Sequence, residues 1–280
     1  MGWAAALALL AAAPAARAEP RPVRIMSLNQ CTDQLVLMLV PRSRIRSVSW
    51  LARDPAGSAL AGIARHVPTN RGAAEEILRD RPDLVIAGSY TTPATRGLLR
   101  RLGMPLLEVP PADDFPAIRA TVRQVAAAVG ERARGEAMIA RMDADLASLA
   151  AARGPRPRVA AWDGAGLSAR SGSLYAAILA AAGARNVADT AGSGDLGIER
   201  LLALAPQLLV RGLRALDTPG RDGDLAYHPL VRRYWHDREV SVPQWATSCG
   251  TPLSARAAVR LRADMLRRLA RATPYAGPRR

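Results

Sequence analysis

The chain has 280 residues, 49% of them hydrophobic, and carries a formal net charge of +15 at pH 7. The apolar content is that of a globular protein and excludes an intrinsically disordered chain. The positive charge comes from arginines alone, since the sequence contains no lysine, and they are scattered instead of forming one stripe with interleaved aromatic residues. A generally basic surface is therefore expected, and not a nucleic-acid site.

The first 18 residues have the pattern of a cleavable signal peptide. An apolar run follows Met1 and ends at Ala16-Arg17-Ala18, which fits the small-x-small sequence of a signal-peptidase site. The run is too short to span a bilayer, and no cysteine follows it, so we expect neither a membrane anchor nor a lipid anchor. The mature protein is predicted to begin near Glu19, free in an oxidising compartment outside the cytoplasm.

From residue 24 the chain alternates short apolar runs with stretches of helical periodicity. The apolar runs predict buried strands at residues 24–28, 45–49, 84–87 and 105–109. The intervening segments predict helices at residues 32–40, 75–80 and 92–102. Strands that alternate with helices predict a parallel sheet with crossover helices, which is the α/β class.

The middle of the chain has a different pattern. From residue 115 to 153 almost every residue favours a helix, with one interruption near Gly130, and apolar residues recur at helical spacing. A proline- and glycine-rich turn at residues 154–157 ends this stretch, and a new strand is predicted from residue 158. We therefore expect one long helix between two α/β lobes.

A weak repeat links the two halves of the chain. In each half, a short predicted helix beginning at a glutamate is followed seven residues later by a proline and then by an apolar strand. The glutamates are Glu75 and Glu199, and the prolines are Pro82 and Pro206. The repeat favours two similar lobes. The predicted organisation is a signal peptide at residues 1–18, lobes at residues 19–126 and 155–280, and a connecting helix at residues 127–154.

Three segments of the sequence resemble one family of proteins. They are residues 24–29 (RIMSLN), residues 75–87 (EEILRDRPDLVIA) and residues 179–187 (LAAAGARNV). Their order and spacing are similar to those of the helical-backbone class of periplasmic binding proteins, which serve ABC importers of cobalamin, ferric siderophores and haem. The resemblance covers nearly all of the mature chain, residues 24–269.

The resemblance implies two similar α/β lobes with largely parallel sheets, joined by one long α-helix, with the ligand in the cleft between them. It implies a substrate-binding component that delivers a metal chelate to a permease dimer in the inner membrane, without catalysis and without a cofactor of its own. One exposed acidic residue on each lobe would dock on arginines of the permease, and those positions match Glu75 and Glu199. The alternative for both is an ordinary glutamate in the first turn of a helix, where the helix dipole favours it. A monomer is expected, because the permease must reach both lobes.

The cleft residues are predicted from strand ends, because ligands of open parallel sheets bind beyond the carboxyl ends of the strands. Several of these residues are aromatic, in a chain with only 4% aromatic residues, and aromatic rings suit a flat or bulky organic ligand. The candidates are Asn29, Cys31, Trp50, Arg53, Tyr90, Trp162, Asp163, Arg211, Trp245 and Cys249. For Arg53 two roles stay open, contact with an acidic group of the ligand or a local ion pair with Asp54.

The two cysteines, Cys31 and Cys249, fall at predicted strand ends in different lobes. In an oxidising compartment two cysteines usually pair, and a bridge here would cross the cleft and limit its opening. Such a bridge requires the Cα atoms to approach within about 7 Å. Two free thiols, or two soft ligands of a metal centre, are the alternatives that the sequence leaves open.

The sequence predicts that the ligand is a metal chelate but does not identify which chelate. The last cleft loop, residues 244–252, lacks the acidic and basic residues that cobalamin binders of this family tend to carry there. Siderophore binders often have several cleft arginines, and the candidates here are Arg53, Arg170 and Arg211. Corrinoids and ferric siderophores are the favoured ligands, with haem as an alternative.

Three other functions are less well supported by the sequence. The three histidines are not spaced like metal ligands, which argues against a free-metal binder. No motif of a serine hydrolase, a zinc protease or a phosphate-binding loop is present, which argues against an exported enzyme. A purely structural or interaction protein would lack the ordered series of family-like segments.

Overall fold

In the computed structural model, the described residues are 21–161, 169–189, 196–213 and 228–271. They form two parallel β-sheets with helices on both faces of each sheet, which confirms the predicted α/β class with two lobes. No helix in these ranges is both long and apolar enough to cross a bilayer. The predicted signal peptide, Trp162 and Asp163 lie outside the described residues.

The N-terminal lobe contains a five-stranded sheet in the order β3-β2-β1-β4-β5, and all its neighbouring strands are parallel. The strands are β1 (Ile25–Ser27), β2 (Ile45–Ser49), β3 (Thr69–Asn70), β4 (Leu84–Gly88) and β5 (Leu106–Val109). The helices are α1 (Gln30–Leu39), α2 (Ala61–Ala64), α3 (Ala74–Asp80), α4 (Pro93–Arg101) and α5 (Phe115–Ala128). The four predicted strands and three predicted helices of this lobe are all present, whereas β3 and α2 were not predicted.

The C-terminal lobe follows α6 (Arg132–Ala151), which lies inside the range expected for the connecting helix. Its described strands form a parallel sheet in the order β7-β6-β8-β9. These strands are β6 (Arg158–Ala161), β7 (Arg185–Asn186), β8 (Leu208–Leu213) and β9 (Glu239–Pro243). The helices are α7 (Leu174–Ala181), α8 (Ile198–Leu204), α9 (Pro229–Trp235), α10 (Gln244–Ser248) and α11 (Leu253–Arg271).

Successive side chains of the buried strands point to opposite faces of each sheet, as the two-residue period of a strand requires. In β1, Ile25 packs with α1 and α5 on the inner face, and Met26 packs with Ile77 of α3 and Leu99 of α4 on the outer face. Helices α8 and α9 cover the outer face of the second sheet in the same way. Each sheet is therefore buried on both faces, which explains why its strands are continuous apolar runs.

The inner faces of the two sheets share one continuous hydrophobic core. Buried residues of α1, α5, α6, α7 and α11 belong to a single cluster that reaches from Ile25 in the first sheet to Val210 in the second. Helix α6 packs on both α5 and α11, so it contacts both lobes along its length. A change in lobe spacing would expose part of this shared core to water. Because burial of apolar area is the main stabilising contribution to folding, such a change would cost free energy.

The helical stretch from residue 115 to 153 is two helices, with the interruption at Gly130 where it was predicted. Gly130 has a φ of 71°, which favours glycine. The half-buried guanidinium of Arg44 holds this junction, because it donates hydrogen bonds to the carboxylate of Glu131 at 2.6 Å and to the carbonyl of Val129 at 2.6 Å. The connection to the second lobe is therefore α6 alone, and α5 belongs to the first lobe.

The weak sequence repeat corresponds to a repeated structural unit. Helices α3 and α8 each have seven residues, and each ends at a residue with a left-handed backbone, Arg81 at φ 43° and Ala205 at φ 44°. In each case a proline, Pro82 or Pro206, follows at once, and a buried central strand begins two residues later. The left-handed residue terminates the helix, and the proline prevents its continuation.

One buried arginine joins the ends of two helices in the second lobe. Arg262 of α11 donates hydrogen bonds to the carbonyls of Ala152 and Arg153 after α6, at 3.4 and 3.0 Å, and to Ala182 after α7, at 3.3 Å. The neighbouring Gly183 has a φ of 76°, and a Cβ atom there would collide with the guanidinium. The charge has no carboxylate partner within the described ranges, so the helix C-terminal carbonyls provide its stabilisation.

Replacing Arg262 by methionine should destabilise the protein by about 2–4 kcal/mol, because the buried carbonyl of Ala182 and two carbonyls that follow α6 lose their donor. Denaturant unfolding followed by circular dichroism measures the change. The matched control is Arg260→Met on the exposed face of the same helix, for which we expect a change within about 0.5 kcal/mol. Equal stabilities of the two variants would contradict this role of Arg262.

Candidate ligand cleft

The cleft lies where the carboxyl ends of the N-terminal sheet face the C-terminal lobe. The turns that follow β1, β4 and β5 meet the loop between α10 and α11 around a cavity of about 70 Å³. The cavity is lined by Asn29, Cys31 and Tyr90 from the first lobe and by Ser248 and Gly250 from the second. Four of the predicted residues, counting Cys249 beside this loop, are therefore brought together at one seam. A volume of this size is far below the 300–1,000 Å³ of typical ligand pockets, so a large ligand has to bind at its mouth.

Cys31 and Cys249 form a disulfide bond across this seam, with their Cα atoms 4.9 Å apart. Cys31 lies in the first turn of α1, and Cys249 is buried at the end of α10. The bond joins residues 218 positions apart in the chain, so it closes a loop that includes most of both lobes. Of the three states that the sequence left open, the structure contains the disulfide.

Two further contacts hold the lobes together beside the disulfide. The backbone N–H of Trp245 donates to the carbonyl of Ala56 in the first lobe at 3.1 Å, and its half-buried ring packs against the common core. Gly250 lies against the backbone of Ala112 so closely that no side chain fits at this position. Trp245, a predicted cleft residue, therefore has an inter-lobe packing role.

Asn29 is held at the mouth of the cavity by its local structure. It is the N-cap of α1, and its side-chain oxygen accepts a hydrogen bond from the N–H of Cys31 at 3.0 Å. A Cβ atom at Gly88, where β4 ends, would lie 2.8 Å from Cγ of Asn29, so only glycine fits beside it. The amide nitrogen of Asn29 is the part of the side chain that remains for a ligand.

Two aromatic rings are exposed at the carboxyl edge of the first sheet. Trp50 directly follows β2 and is 53% exposed, and Tyr90 follows β4 and is 85% exposed. The strand β1 lies between β2 and β4, so the two strand ends are about 10 Å apart. The guanidinium of Arg71, which follows β3, lies 5.9 Å from the centroid of the Trp50 ring. Trp50, Arg71 and Tyr90 form an exposed surface of rings and charge, which we call the aromatic edge.

Arg71 was not among the predicted cleft residues. It follows β3, which has only two residues and therefore gives no periodic apolar signal in the sequence. The backbone around it is fixed by Glu76, whose carboxylate accepts hydrogen bonds from the N–H groups of Arg71 at 2.8 Å and Ala73 at 3.3 Å. No local pattern in the sequence links Arg71 to Trp50, which is far from it along the chain.

A buried polar network supports the aromatic edge from below. The carboxylate of Asp33 in α1 accepts hydrogen bonds from the N–H of Ser49 at 3.0 Å and from its hydroxyl at 2.5 Å. The amide of Asn70 donates to the carbonyl of Ser27 at 3.0 Å and to the hydroxyl of Ser47 at 2.8 Å. Ser49 immediately precedes Trp50 and Asn70 immediately precedes Arg71, so this network fixes the backbone from which both side chains project.

Burial raises the pKa of Asp33 to about 7, although its hydrogen bonds with Ser27 and Ser49 act in the opposite direction. The carboxyl group is completely buried, and removal from water disfavours its charged form more than the three hydrogen bonds stabilise it. The group that positions Ser49 therefore changes its charge near neutral pH. Since the unfolded chain has the ordinary pKa of 3.8, the folded state binds this proton more tightly.

Among the described residues Arg53 forms no ion pair with Asp54, and its contact with a ligand stays a prediction. Its guanidinium donates hydrogen bonds to the carbonyls of Ala64 at 3.3 Å and Val67 at 2.8 Å, at the end of α2. Asp54 accepts a hydrogen bond from the N–H of Ala56 at 3.0 Å and shapes the loop locally. The described contacts of Arg53 hold the loop that carries Trp50, so we omit it from the proposed ligand contacts.

The expectation that Arg211 follows the end of a strand is wrong, because β8 continues to Leu213. Arg211 lies within β8, opposite Ser241 of β9, and its guanidinium is 3.4 Å from the carboxylate of Glu239. It lines a surface cavity of about 490 Å³ beside Arg271, at the opposite end of the 19-residue α11 from Cys249. At 1.5 Å per residue this helix separates Arg211 from the cleft.

The two predicted docking glutamates occupy equivalent positions in the two lobes. Glu75 is exposed in the first turn of α3, and Glu199 is exposed in the first turn of α8. Within the described residues neither carboxylate forms an ion pair, in a protein with a large excess of arginine. Both remain available for an external basic partner. In the same described ranges, no three His, Cys, Asp or Glu side chains converge into a group that could hold a metal ion.

Comparisons with known proteins agree with this architecture. A family model described as "Periplasmic binding protein" matches residues 25–234. The periplasmic haem-binding protein RhuT from Roseiflexus sp. RS-1 has 25% identity and a TM-score of 0.71, over 88% of this chain and 98% of RhuT. A periplasmic haem-binding protein from Pseudomonas aeruginosa has 23% identity and a TM-score of 0.68, over 92% of this chain and 96% of that protein.

A third similar structure is MolA, the molybdate periplasmic binding protein of a Haemophilus influenzae ABC transporter. It has 16% identity and a TM-score of 0.69, over 89% of this chain and 87% of MolA. A search of curated proteins found no significant match. The similar structures therefore share one fold while differing in the ligands that their names state.

Removal of the disulfide should destabilise the protein by about 2–5 kcal/mol, because the unfolded chain is released from a very long closed loop. The variant Cys31→Ala/Cys249→Ala, compared with the oxidised parent in urea unfolding, measures this effect. Alkylation of the denatured but unreduced parent should label no cysteine. Two labelled cysteines in that experiment would contradict the disulfide.

The stability contribution of Asp33 should fall as the pH rises from about 4 to about 7, because the unfolded chain has lost this proton in this window while the folded state still holds it. Asp33→Asn keeps an acceptor for the Ser49 N–H but cannot ionise. Relative to the parent, it should therefore gain stability from pH 4.5 to pH 8, by at most a few kcal/mol. Urea unfolding at both pH values measures the change, with the exposed Asp113→Asn as control. Parallel pH profiles of parent and Asp33→Asn would rule out this titration.

Proposed function

Because this chain belongs to the periplasmic binding protein family, we propose that it captures a metal chelate in the periplasm and delivers it to an ABC importer. It is a binding protein and not an enzyme, like the family and the similar structures. Within the metal chelates, we propose haem as the ligand. This choice differs from the corrinoids and siderophores that the sequence favoured, and it depends on the aromatic edge.

The aromatic edge carries the proposal, because each of its side chains suits a different part of a haem. Trp50 offers a broad apolar face to a planar macrocycle. The guanidinium of Arg71 suits a propionate carboxylate, to which arginine donates two parallel hydrogen bonds. The exposed phenol of Tyr90 suits the iron, since a tyrosine oxygen is one of the known axial ligands of haem.

The RhuT comparison supports haem over other chelates. RhuT is named a haem-binding protein, and at 25% identity it aligns with 88% of this chain. The second lobe would complete the site from its own strand ends, where the predicted residues Trp162 and Asp163 follow β6. We propose both residues as ligand contacts of the second lobe, as the sequence predicted.

Transfer of the ligand requires recognition by the permease, for which we propose Glu75 and Glu199. Their equivalent positions on the two lobes are suited to a permease dimer whose two halves present the same basic residues. We further propose that the protein acts as a monomer, released into the periplasm by cleavage of residues 1–18. We propose that the first lobe extends to the end of α5, slightly beyond the predicted residues 19–126, and that the second lobe comprises residues 155–280 as predicted.

Titration of the purified protein with ferric haem, followed by visible absorbance, tests the ligand. We expect one high-affinity site, a tenfold or larger loss of affinity in Arg71→Gln, and in Tyr90→Phe an altered iron spectrum together with weaker binding. The control Arg65→Gln removes an exposed arginine elsewhere on the same lobe and should bind as the parent does.

A parallel titration with cobalamin, and with ferric siderophores, decides between the chelates. Binding of cobalamin or a siderophore with no response to haem would overturn the haem assignment. Glu75→Gln/Glu199→Gln should bind haem normally and fail to support uptake by the permease in proteoliposomes. Normal uptake by this variant would contradict the docking role.

A further inference from the structure

A second concave surface lies away from the cleft, along the side of the connecting helix. It is a groove of about 550 Å³, which is within the size range of small-molecule sites. Its floor and walls come from α1 and α2 of the first lobe, from α6, and from the start of α11 in the second lobe. Its main apolar residues are Met38, Leu60, Ile63, Met138, Met142 and Leu253.

One face of α6 supplies the floor of this groove. Arg134, Met138, Arg141, Met142 and Asp145 follow each other at intervals of four, three, one and three residues, which places them on a single helical stripe. Met142 of this stripe is fully buried and Met138 nearly so. The accessible apolar surface of the groove therefore comes from Met38, Leu60, Ile63 and Leu253, which surround the stripe.

The charge of the groove is positive. Three arginines, Arg134, Arg141 and Arg256, stand beside one carboxylate, Asp145. Among the described residues, the only side-chain hydrogen bond of these arginines is from Nε of Arg141 to the carbonyl of Ala137 in its own helix. The guanidinium groups are therefore directed to solvent or to a ligand, and an acidic group is their complement.

The groove is preformed because the disulfide holds its two walls. Cys31 is in α1, which contributes Met38 to one wall, and Cys249 is four residues before Leu253 of the other wall. Ile63 is 52% exposed on the rim, although it is a large apolar residue. A site whose walls are already fixed loses little conformational entropy when it binds a ligand.

We propose that this groove binds one anionic amphiphile, with the apolar chain against Met38, Leu60, Ile63 and Leu253 and the acidic head on Arg134 and Arg256. The concave shape and the single-molecule volume favour a free amphiphile over a membrane surface, which requires a convex or flat apolar face. The groove contacts both lobes and α6, so its ligand adds contacts between the lobes without entering the cleft. The site is independent of the haem cleft and does not depend on the proposed transport function.

Isothermal titration of the oxidised protein with laurate, below its micellar concentration, tests the groove. We expect one laurate per protein, and no comparable binding of dodecyltrimethylammonium, which has the same chain length and the opposite charge. Arg134→Gln/Arg256→Gln and Ile63→Gln should each weaken laurate binding at least tenfold. The matched controls are Arg260→Gln on an exposed face of α11 and Leu102→Gln, an exposed leucine after α4.

The proposal also predicts that one protein molecule binds laurate and haem at the same time, since the two ligands occupy different surfaces. Cys31→Ala/Cys249→Ala should bind laurate more weakly than the oxidised parent, because its groove walls are no longer fixed. Equal binding of the cationic amphiphile, equal losses in the control variants, or competition between laurate and haem would each overturn the assignment. Binding to anionic vesicles with no binding of monomeric laurate would assign the surface to a membrane and would also overturn it.

Discussion

The disulfide between Cys31 and Cys249 links the lobes at the edge of the cleft, while α6 connects them at a distance from it. Between these two connections the inner faces of both sheets share one hydrophobic core. The contact of Trp245 with Ala56, and the close approach of Gly250 to Ala112, occur at the same seam as the disulfide. A hinge motion that opened the cleft would have to break these contacts and expose apolar surface. The disulfide and the shared hydrophobic core therefore fix the lobe spacing together.

This fixed spacing determines where a large ligand can bind. The cavity beneath the seam holds only about 70 Å³, and the exposed rings and charge are at its margin on the first sheet. The polar network of Asp33 and Asn70 fixes the backbone just before Trp50 and Arg71, so the surface is organised before a ligand arrives. Preorganisation of this kind limits the conformational entropy lost on binding. The buried carboxyl of Asp33, whose pKa is raised by burial, contributes to it through its hydrogen bonds with Ser49.

The sequence predicted those strands and helices that have a local hydrophobic pattern of their own. The continuous apolar runs of β1, β2 and β4 predicted their strands, because both faces of each sheet are buried. The end of β8 was misplaced, because Arg211 and Gly212 interrupt the apolar run while the strand continues in register with β9. Arg71 was missed because its two-residue strand has no periodicity, and the role of Arg53 was not predictable because its partners are backbone carbonyls.

The two lobes also contain a repeated structural unit, for which the sequence shows only a weak repeat. The units built around α3 and α8 present Glu75 and Glu199 in the same way, although few residues are shared between them. Within the described ranges, in contrast, the exposed rings of Trp50 and Tyr90 and the adjacent Arg71 belong to the first lobe. The described molecule therefore combines two similar outer units with an unequal distribution of exposed rings, an arrangement that suits the proposed delivery of one ligand to a permease dimer.

Small-angle X-ray scattering of the oxidised protein, with and without saturating haem, tests most directly whether the lobe spacing is fixed. If the lobe spacing is fixed, the radius of gyration and the distance distribution should be the same in both states, except for the small contribution of the bound ligand. A clear contraction of the oxidised protein on binding haem would contradict it, because the lobes would then close around the ligand despite the disulfide and the shared core.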